Sequence, residues 1–222
     1  GSIFDGNSAV VGGGGLLFIL SIGDSMVYEV DSCIFRNNNA GFLGGGAWVT
    51  KATPFDSSST GTFSRCIFTD NTAGGCCGGL ANYSSDMVLD SCLFENNFTD
   101  ATLGGIEGGG ALGMNGSTSQ ILNTRITSNE SALEGGALFF LNDPLLPKGR
   151  IRLENVLVEN NMGRNAVYGV RSPHLDFVNV TIVDDSTAVA LADSSTATFQ
   201  NTLLFAASNL EIVDSAYINS RG

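Results

Sequence analysis

One apolar position recurs through the whole chain, followed three residues later by an asparagine. Successive copies lie 22 to 33 residues apart. A unit this short cannot bury its own apolar face, so its stability must come from stacking on its neighbours. The apolar anchors are Phe4, Phe35, Phe68, Phe94, Ile126, Val158, Ile182 and Leu204. The polar positions are Asn7, Asn38, Asn71, Asn97, Asn129, Asn161 and, in the seventh copy, Asp185.

Around each anchor the apolar residues alternate with polar ones. Further columns lie two and five residues upstream, for example Cys33 and Val30 before Phe35. A period of two is typical of short strands with one buried face, and no helical stripe of comparable length is present. Parallel crossover connections are right-handed. The pattern therefore predicts an all-β, right-handed parallel β-helix, a solenoid of about eight coils with three short strands per coil and surface loops.

The regular spacing also predicts how the corners are built. Asparagines in one column can bond the asparagine of the next coil as an amide ladder, and asparagine tolerates left-handed backbone. A glycine pair in the first five coils fits a corner too tight for a Cβ atom. The aligned segments are Gly14-Gly15-Leu16, Gly45-Gly46-Ala47, Gly78-Gly79-Leu80, Gly109-Gly110-Ala111 and Gly135-Gly136-Ala137.

We expect residues 1–222 to form a single β-helix segment of a longer chain. Residues 1–140 carry the glycine-rich coils with loops, and residues 141–222 shorter, plainer coils. Insertions between the columns place the variable loops near residues 50–61, 98–108 and 140–150.

The alternation of Phe-x-x-Asn with Gly-Gly-Ala segments resembles the repeats of chlamydial polymorphic outer membrane proteins. Phe35-Arg36-Asn37-Asn38 and Gly45-Gly46-Ala47-Trp48 are examples. The wider group that the chain resembles is that of pectin lyase-like β-helices. The likeness is close over residues 1 to about 140 and weaker beyond. It implies an extracellular passenger or fibre module, in some cases adhesive.

Charge excludes some classes of partner. Ten Lys and Arg face 22 Asp and Glu, so the formal net charge is −12. Nucleic-acid binding needs a basic footprint, and none is visible. No apolar run is long enough for a transmembrane helix. The expected partners are further β-helix coils or subunits of the same assembly, and glycans or cell-surface proteins.

The five cysteines divide into two groups. Cys33, Cys66 and Cys92 share one inward column and are predicted to be small buried thiols, because a bridge between parallel stacked coils is awkward. For Cys76 or Cys77 the alternative is a disulfide to a loop or a neighbouring coil. No CxxC pair exists, which argues against zinc.

Five N-glycosylation sequons occur in the chain. Asn97 and Asn129 belong to the ladder and Asn179 to a second asparagine column, so inward side chains would block them. Asn82 and Asn115 fall in segments that we expect to be loops, and are the predicted glycosylation sites.

An enzyme is not expected. The Gly-His-Gly and Arg-x-Lys segments of polygalacturonase-like β-helices are missing, and the single histidine, His174, lies outside any nucleophile motif. No cofactor is predicted beyond, at most, weakly bound Ca²⁺. The predicted function is an extracellular or cell-surface structural and adhesive rod. The alternatives are a carbohydrate-binding or polysaccharide-degrading β-helix and an ice-binding β-solenoid.

Overall fold

The structure is a computed structural model of the 222-residue chain. It describes residues 1–20, 26–51, 59–101, 108–143, 149–171, 173–184, 186–213 and 216–220. Within these residues every element is a short strand, and every strand pair is parallel. The predicted right-handed parallel β-helix is confirmed.

Sheets 1 and 2 lie on either side of the predicted asparagine column. Sheet 1 holds the apolar anchors, one at the centre of each three-residue strand. Its strands are Ile3–Asp5, Ile34–Arg36, Ile67–Thr69, Leu93–Glu95, Arg125–Thr127, Leu157–Glu159, Thr181–Val183 and Leu203–Phe205. Sheet 2 has two-residue strands, which are Ser8–Ala9, Asn39–Ala40, Thr72–Ala73, Phe98–Thr99 and Glu130–Ser131.

Sheets 3 and 4 are the longer faces of the rod. Sheet 3 follows the glycine corner, with strands Leu16–Leu20, Ala47–Lys51, Leu80–Tyr83, Leu112–Asn115, Leu138–Leu141, Asn165–Val170, Thr187–Leu191 and Ser208–Ile212. Sheet 4 leads into the next anchor, with strands Val27–Asp31, Thr60–Ser64, Asp86–Asp90, Ser119–Leu122, Arg150–Glu154, His174–Val178, Thr196–Gln200 and Tyr217–Ser220. The first five coils thus have four strands, where three were predicted, because a two-residue strand separates the asparagine from the glycine corner.

Identical residues stack in register along the core. The aromatic rings of Phe4, Phe35, Phe68 and Phe94 form one parallel pile with centroids 4.6 to 4.7 Å apart. Ile126, Val158, Ile182 and Leu204 continue the same column. Parallel coils repeat at the spacing of hydrogen-bonded strands, about 4.8 Å, so like side chains meet like. Offset or parallel ring contacts of this kind add to the free energy gained by burial.

The bends use the left-handed backbone at fixed positions. Between sheets 4 and 1 the bend residue is Ser32, Arg65, Ser91, Asn123, Asn155, Asn179 or Asn201, each with φ of 50 to 56°. Between sheets 1 and 2 the left-handed residue is the one before each ladder asparagine, such as Asn37 and Asp70, both at φ 55°. The ladder asparagines themselves are therefore not the left-handed residues, which corrects the expectation for that corner.

The glycine corner is shifted by one residue in two coils. Strand register aligns Gly46 and Gly79 with Ala111 and then Ala137, not with a glycine. The left-handed position is Gly13, Gly44, Cys77, Gly109 or Gly135. One residue later the coils touch: a Cβ atom on Gly45 would clash with the carbonyl oxygens of Thr72 and Gly78. Aligning the repeats by sequence places glycine opposite glycine in all five coils. In the structure the hydrogen bonds between coils place Gly79 opposite Ala111, and Ala111 opposite Ala137.

The cores of the three predicted loops, residues 52–58, 102–107 and 144–148, lie outside the described residues. Their flanks are strands, since Thr60, Phe98 and Leu141 all pair with neighbouring coils.

Candidate functional site

The predicted asparagine column is a hydrogen-bonded ladder across six coils. Each side-chain Nδ2 donates to the Oδ1 of the next asparagine at 2.9 to 3.0 Å, from Asn7 through Asn161. The backbone N–H of each also donates to that Oδ1, at 2.9 to 3.1 Å. From Asn38 to Asn129 the ladder amides are fully buried. Buried polar groups are stable only when their hydrogen bonds are made, and here both donors of the amide are used.

The ladder ends on a carboxylate. Oδ2 of Asp184 accepts the backbone N–H of Asn161 at 3.0 Å. The repeat spacing placed Asp185 there, so the acceptor lies one residue earlier than expected. Asp185 itself lies outside the described residues.

A second ladder runs along the bend between sheets 4 and 1. Nδ2 of Asn155, Asn179 and Asn201 each donates to the preceding asparagine, at 3.1 to 3.2 Å, and Nδ2 of Asn123 donates to Asp90 at 2.8 Å. These side chains are exposed. The two ladders have the same chemistry and opposite environments.

Cysteines occupy two distinct environments. Cys33, Cys66 and Cys92 are free and buried in the inward column. A hydrogen bond between the two thiols lowers the pKa of Cys66. The same hydrogen bond, together with burial, raises the pKa of Cys92. Cys76 and Cys77 are disulfide-bonded to each other. The expectation that one of them bridges to a loop or another coil is therefore wrong, because each sulfur is already bonded to the other.

The outer face of sheet 3 carries an apolar layer separate from the core. Leu43, Cys76, Cys77 and Phe139 are buried there. The disulfide sits over Gly113, where a Cβ atom would clash with Sγ of Cys77. Small residues on the strand thus make room for the disulfide, and the corner segments before the glycines fold back over the sheet.

At one end of this layer a cavity of about 420 Å³ opens to solvent. The Tyr168 ring lines it beside Phe139, with ring centroids 5.9 Å apart. Leu141 and Val170 extend the apolar part of the lining, and the charged residues are Glu134, Arg171 and Asp193. Partial burial, and then the nearby carboxylates of Glu134 and Asp193, raise the pKa of Tyr168, so its hydroxyl remains a neutral donor. An aromatic floor with charged groups at its edge is the usual composition of a small-ligand site.

Glu134 is fixed in that cavity. Its two carboxylate oxygens accept Nη1 of Arg164 at 2.9 Å and Nδ2 of Asn165 at 2.5 Å. A carboxylate held by two donors is oriented before a ligand arrives, which lowers the entropy cost of binding.

A polar network on the outer face of sheet 4 was not predicted from the sequence. Asp176, only 6% exposed, accepts Nε of Arg150 at 2.6 Å, Nε2 of His174 at 3.1 Å and the Thr198 hydroxyl. Nδ1 of His174 lies 2.6 Å from the Thr196 hydroxyl. The network lines a second cavity of about 410 Å³. Its signal was present: His174 and Asp176 are two apart on an alternating strand, so they share the outer face.

Burial alone would raise the pKa of Asp176. The hydrogen bonds from Thr198 and Arg150, with the positive charge of Arg150, outweigh it and hold the pKa below its usual value. The network therefore contains a carboxylate that stays ionised and ties three consecutive coils together.

The sequons are placed differently from the expectation. Asn82 and Asn115 lie in strands of sheet 3, not in loops, and both are buried. Nδ2 of Asn82 donates to the Ser85 carbonyl at 2.7 Å. The folded chain has no room for a saccharide at either, so the prediction of these two as glycosylation sites is wrong. Asn179 is exposed.

In the part of the chain that the structure describes, no three His, Cys, Asp or Glu side chains come together as a metal site. The same residues include no helix long and apolar enough to cross a membrane.

Comparison with known proteins adds one match. The family model described as a right handed beta helix region matches residues 18–182. No curated protein and no solved structure matches the chain.

Proposed function

Because the chain belongs to the right-handed β-helix family, we propose that it is a structural and adhesive rod, outside the cell or at its surface, within a larger surface protein or fibre. The observation that carries this proposal is the continuity of the stacked columns. The anchor column and the buried ladder run in register without a break from coil to coil, from Asn7 to Asn161 in the ladder. A one-dimensional array of this kind is stiff and divides its stability among neighbouring coils.

Small-angle scattering of the purified chain tests the rod. Eight coils at about 4.8 Å each predict a particle roughly 35 to 40 Å long along the helix axis. A particle whose scattering profile does not fit this cylinder would contradict the proposal.

Further coils or subunits are the proposed partners. In the first coil the inward side chains of Phe4 and Phe18 are only partly buried, whereas their register partners Phe35 and Val49 are fully buried. Strand edges of this kind pair readily with more chain. Light scattering at increasing concentration should show association. A stable, soluble monomer at all concentrations would count against the partner, though not against the rod.

Carbohydrate binding is the second candidate, and the cavity beside Tyr168 favours it. Pyranose rings stack on aromatic faces, while carboxylates and guanidinium groups accept and donate to their hydroxyls. Glu134 and Arg171 line the same cavity as Tyr168 and supply such groups. This function needs no catalysis and agrees with an adhesive role.

A glycan array followed by calorimetry tests the second candidate. We expect the Tyr168→Ala variant to lose binding at least tenfold, and Tyr168→Phe to keep most of it. Val183→Ala, an exposed substitution on sheet 1, is the matched control and should bind as the unaltered chain does. Equal binding by all variants would exclude this cavity as the site. Release of new reducing ends would instead support the polysaccharide-degrading alternative.

A further inference from the structure

We propose that Asn179 is the site of an N-linked oligosaccharide. This proposal rests on the extracellular location proposed above and commits to passage through a eukaryotic secretory pathway. The acceptor motif is Asn179-Val180-Thr181. In the transfer, Nδ2 bonds to the anomeric carbon of a lipid pyrophosphate-linked oligosaccharide. The lipid pyrophosphate departs, and the amide loses one proton to a base.

The position of Asn179 leaves space for the saccharide. It is the left-handed residue, φ 54°, that bends the chain from His174–Val178 into Thr181–Val183. Its column neighbours Asn155 and Asn201 are also exposed, so the side chain is surrounded by short polar groups and solvent.

The hydrogen bonding of Asn179 tolerates the modification. Nδ2 makes one bond, to Oδ1 of Asn155 at 3.2 Å, and Oδ1 accepts from Asn201 at 3.2 Å. A glycosylated amide keeps one N–H and its carbonyl oxygen. The two hydrogen bonds that a saccharide would disturb lie in solvent, so they contribute little to stability.

The other four sequons are closed in the folded chain. Nδ2 of Asn97 makes two bonds of 2.9 Å, to the Phe68 carbonyl and to Asn129, and is fully buried. Asn129 is buried in the same ladder, and Asn82 and Asn115 are buried in sheet 3. A saccharide at any of these sites would have to displace the groups packed over the buried amide. Among the five sequons, exposure therefore selects Asn179.

The experiment is to secrete the chain from eukaryotic cells behind an added leader, and to map glycosylation by peptide mass spectrometry after enzymatic removal of the glycan. We expect one modified residue, Asn179. Thr181→Val, which keeps a β-branched side chain in a strand, should abolish it. Thr181→Ser preserves the motif and should retain the glycan. Ser84→Ala destroys the Asn82 motif and should change nothing.

A secreted, folded chain with Asn179 unmodified would overturn the proposal. So would a saccharide at any of the buried asparagines in folded protein. Small-angle scattering of the same samples distinguishes this proposal from the proposed function. A particle that has the dimensions of the rod but carries no glycan would overturn only the glycosylation of Asn179.

Discussion

The two amide ladders differ in what surrounds them. In the buried ladder each inner asparagine uses its backbone N–H and both Nδ2 hydrogens, as Asn71 does with Asn97 and the Phe35 carbonyl. In the exposed ladder Nδ2 of Asn155 and of Asn179 each donates a single hydrogen bond, 3.1 to 3.2 Å long, to the preceding asparagine. Water competes for the second set and not for the first, so the same residue type has a structural role at one corner and is dispensable at the other.

Breaking the buried ladder should have the largest effect. Asn97→Ala removes the shared acceptor of the Asn71 backbone N–H and Nδ2, so two donors lose their partner in a dry interior, and Oδ1 of Asn129 loses a donor. Unsatisfied buried groups cost about 1 to 3 kcal/mol each, so we expect a loss of about 4 kcal/mol in the free energy of unfolding. Urea denaturation followed by circular dichroism measures it. A loss no larger than that of an exposed-ladder variant would remove the distinction between the ladders.

The sheet 4 network should show an intermediate effect that depends on pH. Asp176→Asn keeps the shape but removes the charge that faces Arg150 and His174. Hydrogen bonds to charged groups are worth roughly 1.5 to 3 kcal/mol, so we expect a loss of about 2 kcal/mol near neutral pH.

The sign of the pH dependence follows from the lowered pKa of Asp176. A carboxyl whose pKa is depressed on folding stabilises the protein above its unfolded pKa, and that stability is lost as the pH falls through the folded pKa. The ordinary pKa of an aspartate is 3.8. The difference in the free energy of unfolding between the unaltered protein and Asp176→Asn should therefore be complete at about pH 6 and disappear in strong acid. Denaturation midpoints measured across this range check it, and a difference independent of pH would contradict the role of the charge.

A break in the exposed ladder should cost least. Asn155→Ala loses two exposed amide hydrogen bonds, the one it donates to Asn123 and the one it accepts from Asn179, and places an alanine at φ 56°. The left-handed backbone costs an ordinary residue roughly 1 to 2 kcal/mol, and asparagine less, so about 1 kcal/mol should be lost.

Asn155→Gly separates the two contributions at this position. Glycine accepts the left-handed bend without strain, so the loss should shrink to within roughly 0.5 kcal/mol. Thermal unfolding of the pair measures the difference. If glycine is as harmful as alanine, the exposed ladder contributes through its side chains after all.

The ladder and core columns could be predicted from the sequence because apolar and polar residues alternate around each anchor, and in the first six coils an asparagine follows three residues later. Phe4, Phe35, Phe68 and Phe94 share a spacing to the following asparagine, and the strands put them in direct register. The cavity beside Tyr168 and the network around Asp176 were not predicted, because each is assembled from three coils and lies on the outer face, where side chains vary.

The corrections have a common cause. Asn82 was expected to lie in a loop, but its amide fills a buried position within a sheet 3 strand. Cys76 and Cys77 looked like partners for distant groups, and instead bond to each other. The residues next to a position in the sequence do not determine which residues of the neighbouring coil pack against it.

The amino-acid sequence by itself determined the β-helix, its coil count and the inward columns, because period-two burial and stacked repeats depend only on which residues recur at which spacing. Only the tertiary structure decided which asparagines are buried and which are exposed to solvent. It also decided where the glycine corner shifts by one residue and which outer side chains are in contact across coils. Those properties depend on the register between coils and on the segments that fold over each face, and neither is encoded in one repeat.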